Sequence, residues 1–145
     1  MKAEKGILQG NLGDVQHLGI PVQDVAAAKA WYVNNLGFEI AHETSIPTAE
    51  GNVEIAFLSL GALTMEFYQP AGQEAKEIAS RQDGHIDHIA LHVADVEQAY
   101  KDVKAAGLTP LEDAPVFLNT LYERGVKYFN VRGPNGEKVE FNQIL

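Results

Sequence analysis

The chain has no cysteine, a single tryptophan and only 11 basic residues among its 145. Without cysteine, disulfides, thiolate metal ligands and a cysteine nucleophile are excluded, and a reducing compartment is the natural setting. The basic residues are outnumbered by 20 acidic ones, so the net charge is −9 and the pI is near 4.9. A surface of that charge repels phosphate backbones and anionic lipids. We therefore expect no nucleic-acid partner and no membrane surface as partner.

Long apolar segments are also missing. No run of 18 or more apolar residues occurs, and residues 1–13 lack the apolar stretch of a secretory signal. We interpret those residues as a loose tail and expect a cytoplasmic protein. The hydrophobic content of 46% is sufficient for a core of ordinary size, so residues 14–145 are expected to form one domain.

One sequence pattern occurs twice, 71 residues apart. His17 and His88 each begin a strand pattern that passes into a helix pattern, and each unit later reaches a strand with a central glutamate, Glu66 in the first and Glu140 in the second. The residue types that recur at this constant offset are His17, Val22, Asp24, Val25 and Ala28, then His88, Val93, Asp95, Val96 and Ala99. The repeat predicts a duplicated module.

Each copy is typical of a βαβββ module. Asp24 is a good N-cap for the first helix and Gly37 a residue that ends it, while Asp95 and Gln98 form a capping box for the second helix. Short segments rich in β-forming residues, bounded by glycine and proline, follow each helix. The predicted strands after the helices are 38–44, 52–59 and 63–68, then 109–112, 125–131 and 137–143.

The module boundaries follow from the turn residues. Module one covers 14–69, a connection with a polar helical stretch covers 70–84, and module two covers 85–145. The segment 113–124 is long for a loop in a compact domain, and we interpret it as a lid or as an ordinary packed surface loop.

Strand alternation places four ionisable side chains opposite rows of apolar residues. They are His17, Glu66, His88 and Glu140. If each sheet curls with its helix-free face inward, the α+β chain forms a cupped, half-open barrel-like sheet with helices outside, and these side chains converge. A lone strand glutamate is usually just solvated, but four convergent ionisable groups cost roughly several kcal/mol unless a cation pairs them. Such a donor set suits Zn²⁺, Ni²⁺, Co²⁺, Mn²⁺ or Fe²⁺ and does not choose among them.

The segments that carry these residues resemble the vicinal oxygen chelate superfamily, which includes glyoxalase I, methylmalonyl-CoA epimerase, extradiol dioxygenases and bleomycin-binding or fosfomycin-modifying resistance proteins. The resemblance covers about residues 14–144 and lies in segments 17–22, 35–38, 65–67, 87–93, 133–136 and 139–141. It implies a divalent metal in the cup, with His17, Glu66, His88 and Glu140 as its ligands. It also implies open metal positions that chelate two neighbouring oxygens of a substrate.

With all four ligand positions intact, the chain is most similar in ligand set to glyoxalase I. That resemblance implies a metal-dependent isomerase or lyase that moves a proton next to a carbonyl, with Glu140, and secondarily Glu66, as the base. Resemblance to methylmalonyl-CoA epimerase implies racemisation instead, with Glu54 as a catalytic carboxylate. Alternation groups Glu54 with Ala56 and is compatible with its facing the cup.

Other functions stay open. The positions that hold glutathione in glyoxalase I are Pro21 and Pro70 here, and no basic cluster is present for the phosphates of coenzyme A. A non-catalytic small-molecule binding or resistance protein is the alternative from another class. A dioxygenase is disfavoured because a fourth ligand occupies the position that oxygen needs. The expected substrate is a small carbonyl compound or thioester, and superfamily members this short are commonly homodimers, with the metal at the interface.

Three further histidines have weaker assignments. His92 shares a strand face with His88 and is a candidate for contact with substrate or with a metal ligand, although a histidine satisfied by a backbone group is the equal alternative. His42 and His85 are expected to be exposed without a role.

Overall fold

The computed structural model describes residues 17–82, 88–119 and 122–145. In these ranges the elements are β1 (Leu18–Pro21), α1 (Val25–Leu36), β2 (Glu39–Thr48), β3 (Gly51–Leu60), β4 (Leu63–Gln69), α2 (Gly72–Ala79), β5 (His88–His92), α3 (Val96–Ala105), β6 (Val116–Leu118), β7 (Val126–Arg132) and β8 (Lys138–Ile144). The α+β fold of two βαβββ modules is confirmed, with α2 in the predicted connection. The predicted tail and His85 lie outside the described residues.

The strands form two four-stranded mixed sheets. Their orders are β1-β4-β3-β2 and β5-β8-β7-β6, and neither sheet closes into a barrel. In each sheet the first strand of the module pairs in parallel with the last, and the remaining pairs are antiparallel. In module one, β1 begins directly after His17 and lies beside β4, which carries Glu66. In module two, β5 begins with His88 and lies beside β8, which carries Glu140.

The two long helices begin in the same way. The carboxylate of Asp24 accepts a hydrogen bond from Ala27 N at 2.9 Å, and that of Asp95 accepts one from Gln98 N at 2.9 Å. Gly37 ends α1 with a left-handed φ of 71°, which a glycine adopts without strain. These caps agree with the sequence prediction.

The core lies between the helices and one face of each sheet. Met65 and Phe67 on β4 and Val139 and Phe141 on β8 are buried, as the alternation predicts. The two modules also meet through a buried hydrogen bond, in which the Tyr32 hydroxyl donates to Glu137 Oε1 at 3.0 Å. The opposite face of each sheet is thereby left for the predicted site residues.

The predicted strand 109–112 is wrong. Pro110 forms only an isolated bridge with Val131, and the first strand after α3 is β6, inside the segment interpreted as a lid or loop. Proline offers no N–H to a ladder. The Glu112 carboxylate instead accepts hydrogen bonds from Asn130 N and Nδ2, both at 2.7 Å, so a side chain attaches this segment to β7.

Among the described residues, no helix is both long enough and apolar enough to span a membrane.

Candidate metal and substrate site

The first histidine and the first glutamate form a close pair on the helix-free face of the first sheet. Glu66 is the cross-strand partner of Gly19 on β1 and of Phe57 on β3, so these residues share a face, and His17 precedes Gly19 by two residues. The distance from His17 Nε2 to Glu66 Oε2 is 3.0 Å. The pair is thus positioned by β1 and β4 together.

The second sheet repeats this arrangement. Ala90 on β5 pairs with Glu140 on β8, and the distance from His88 Nε2 to Glu140 Oε2 is 3.8 Å. The other carboxylate oxygen, Glu140 Oε1, accepts a hydrogen bond from Asn142 Nδ2 at 3.0 Å. In this pair the carboxylate is more buried than the imidazole, with exposed side-chain fractions of 18% and 46%.

The structure brings the four predicted ligands together as two pairs. Within the described ranges of one chain, no three or more histidine, aspartate or glutamate side chains gather closely enough to hold a metal ion. Each pair is built inside its own sheet, by the parallel pairing of the first and last strands of a module. The assignment of the four as ligands of one metal stays a prediction.

The chemistry of the donors fits a divalent metal. Each pair directs an imidazole nitrogen toward a carboxylate oxygen, and both are ordinary ligands of zinc and related metals. A single pair supplies two protein ligands, fewer than the three or four of common sites. Two pairs facing each other would supply two nitrogens and two or more oxygens.

A cavity lies beside each pair. The cavity of about 460 Å³ next to the second pair is lined by His88, Tyr128, Asn130, Lys138 and Glu140, among others. The cavity of about 390 Å³ next to the first pair is lined by His17, Ala41, His42, Phe57 and Thr64. Each volume is in the range of a small-molecule site, with a few polar groups on a partly apolar wall.

Glu54 does not share the sheet face of the His17–Glu66 pair, although alternation was compatible with that face, and its catalytic role stays a prediction. Its cross-strand partner on β4 is Gln69, and it shares a face with Ala56 and Leu58, which are buried in the core. Its carboxylate accepts a hydrogen bond from Ser45 Oγ at 2.8 Å. The opposite row of β3, which includes Phe57, faces the site.

His42 is a cavity residue that sequence reasoning missed. Alternation along β2 does not predict that His42 faces the cavity, because the register with β3 shifts between Ile40 and His42. The shift changes which residues of β2 face the site. His92 lies on the face of His88, as expected from alternation, and is exposed.

Tyr68 is the neighbour of Glu66 on the same face of β4, and its pKa is raised. The largest cause is desolvation by burial, followed by the negative charge of Glu74. The phenol therefore keeps its proton and is a hydrogen-bond donor at neutral pH.

Comparison with known proteins gives one family. The family model described as Glyoxalase/Bleomycin resistance protein/Dioxygenase superfamily matches residues 14–141. The mitochondrial methylmalonyl-CoA epimerase of Homo sapiens is 30% identical over 71% of this chain, and the chain spans only 59% of that protein's length. The ethylmalonyl-CoA/methylmalonyl-CoA epimerase of Cereibacter sphaeroides is 28% identical over 92% of this chain and 99% of its own.

A solved structure shows the same fold. The glyoxalase family protein from Enterococcus faecalis superposes with a TM-score of 0.67, covering 90% of this chain and 97% of its own, at 21% identity. At that identity the likeness concerns the fold alone.

Proposed function

The chain belongs to the glyoxalase/bleomycin resistance protein/dioxygenase superfamily, and we propose that it is a metal-dependent epimerase acting on the carbon next to a thioester carbonyl. The proposed substrate class is a small 2-substituted acyl-CoA ester. The relatives named as epimerases favour this function over the glyoxalase-type isomerisation that the ligand set alone puts first. Proline at both positions that hold glutathione in glyoxalase I supports the same choice.

The observation that carries the proposal is the pair of repeat-related histidine–glutamate contacts, each beside a cavity. His17, Glu66, His88 and Glu140 would hold a divalent cation, which when bound would stabilise the negative charge of an enolate and so lower the barrier to proton removal.

Glu140 is the proposed base on one face of that carbon. Its Oε1 is held by Asn142, and its Oε2 faces His88. The carboxylate takes the C2 proton as the C–H bond breaks, and the bonding electron pair moves into the carbonyl to give the enolate. When a proton is delivered to the opposite face, the C–H bond re-forms there and the carbonyl is restored, so no oxidant or reductant is needed.

We also propose a homodimer with a shared site. The two pairs do not gather in one chain, so the first pair of one protomer would meet the second pair of its partner. This arrangement supplies four ligands to each of two sites without a change in either sheet.

Solvent exchange tests the reaction. One stereoisomer of methylmalonyl-CoA, incubated with the metal-loaded protein in D₂O, should gain deuterium at C2 and approach an equal mixture of isomers. The hemithioacetal of methylglyoxal and glutathione is the comparison substrate. Conversion of the hemithioacetal alone would identify a glyoxalase-type isomerase, and binding of the thioester without exchange would identify the non-catalytic alternative.

A further inference from the structure

Lys138 lies on the site face of the second sheet, next to two of the predicted site residues. It precedes Glu140 by two residues on β8, so both side chains lie on one face, and it is the cross-strand partner of His88 on β5. All three side chains line the cavity of about 460 Å³ beside the second pair. Among the described residues that line either cavity, Lys138 is the one lysine or arginine. It brings a positive charge to the place proposed for the reacting carbon.

A second cation lies beside Lys138 on the same face. Arg132 on β7 is the cross-strand partner of Lys138, and its Nη1 donates a hydrogen bond to Gly136 O at 2.7 Å, which holds the guanidinium at the β7–β8 turn. The two cations belong to different strands of one hairpin, so the fold, and not a run of sequence, brings them together. Like charges in directly opposite positions repel each other, and an anion beside them offsets that repulsion.

A carboxylate on the reacting carbon is the anion that this position fits. When Glu140 removes a proton from a carbon that carries a carboxylate, two negative carboxylates approach each other, and the enolate adds further negative charge beside both. A lysine ammonium within reach of the substrate carboxylate offsets this repulsion. The hydrogen bond between them is charge-assisted, so it is also stronger than one between neutral groups.

We propose that Lys138 selects the substrate by binding a carboxylate on C2, an inference that rests on the thioester epimerase function proposed above. The substrate class is then narrower than a 2-substituted acyl-CoA ester, because it is a thioester of a malonic acid with one substituent on C2. Lys138 Nζ donates to the substrate carboxylate while the Glu140 carboxylate reaches the C2 hydrogen. The phosphates of coenzyme A are separated from C2 by the pantetheine chain, so they cannot occupy the same place when C2 lies at Glu140.

Two unreactive ligands test this selection. 2,2-Dimethylmalonyl-CoA and pivaloyl-CoA both lack a hydrogen on C2, and they differ only in that a carboxylate of the first is a methyl group in the second. The ratio of their dissociation constants, measured by calorimetry with metal-loaded protein, reports the preference for the carboxylate. In Lys138→Met this preference should be about 10- to 100-fold smaller than in the wild type, because a hydrogen bond between charged groups is lost. Metal content should not change.

Two further variants complete the test. Lys127→Met is the matched control, because Lys127 lies on the opposite face of the same sheet, where its Nζ is 2.8 Å from Glu97 Oε1 on α3. It should keep the wild-type preference, and Lys138→Arg, which retains the charge, should keep most of it.

Equal weakening of both ligands in Lys138→Met would assign Lys138 to a phosphate of coenzyme A and overturn the proposal. An unchanged preference in that variant, loss of its metal, or a wild type without the preference would also overturn it. Failure of the epimerase function is seen separately, as the predicted preference without any gain of deuterium at C2 of methylmalonyl-CoA in D₂O.

Discussion

At the scale of single residues, the contact between Tyr32 and Glu137 is a buried hydrogen bond between the modules. The two residues are 1% and 3% exposed. The Glu137 carboxylate accepts a hydrogen bond from the Tyr32 hydroxyl at 3.0 Å and another from Asn135 N at 2.8 Å. Burial nevertheless raises the pKa of Glu137 above its ordinary value of 4.5, because the effect of burial is larger than the opposite effect of these hydrogen bonds. The pKa of Tyr32 is also raised, first by burial and then by the negative charge of Glu137.

This raised pKa predicts a pH dependence of stability. A carboxyl whose pKa is higher in the folded state contributes stability that is complete below about pH 4.5 and is lost as the pH rises through the folded-state value. The free energy of unfolding of the wild type, minus that of Glu137→Gln, should therefore fall between pH 4 and pH 8 in urea titrations. Tyr32→Phe removes a donor that lowers the pKa of Glu137, so in that background the fall should be larger and extend to higher pH. A difference that rises with pH would contradict the account.

At the scale of elements, the starts of α1 and α3 are each tied to the strand that carries the site glutamate of their module. Val25 N donates to Gln69 Oε1 at 2.9 Å, and Val96 N donates to Gln143 Oε1 at 3.0 Å. Each glutamine follows its site glutamate by three residues, so one strand presents the carboxylate on one face and holds the helix on the other.

Gln143→Met should therefore cost about 1–3 kcal/mol in the free energy of unfolding, because the N–H of Val96 is left without its acceptor. Gln73→Met, at an exposed position on α2, is the matched control and should change stability by no more than about 0.5 kcal/mol. Equal effects of the two substitutions in urea titrations would show that the side chain of Gln143 does not hold α3.

The sequence predicts the local features of these elements well. The caps at Asp24 and Asp95, and the faces of Glu66 and Glu140, depend on short-range pattern next to clearly apolar rows. In β3 both rows are apolar, so alternation alone could not tell that Ala56 and Leu58, rather than Phe57, face the core. The face of Glu54 stayed open for that reason. The register shift that brings His42 to the cavity has no local signature.

At the scale of the whole molecule, duplication explains why the site residues come in pairs. Each module builds a complete sheet and contributes one histidine and one glutamate from adjacent strands. The predicted convergence of all four is not a matter of local pattern, because it depends on how two sheets face each other. In the proposed dimer that contact lies between protomers.

The central claim is that the two pairs form one metal site shared between two chains. Metal content of purified, metal-saturated protein tests it in the wild type, in His17→Ala, in His88→Ala and in the heterodimer of these two variants. We predict about one divalent ion per wild-type chain, and none in either variant homodimer, because each has lost a ligand of every site. The heterodimer should hold one ion, since one of its two sites is intact and the other has lost both histidines. Metal retained at the wild-type level in either variant homodimer, or a heterodimer without metal, would contradict the claim.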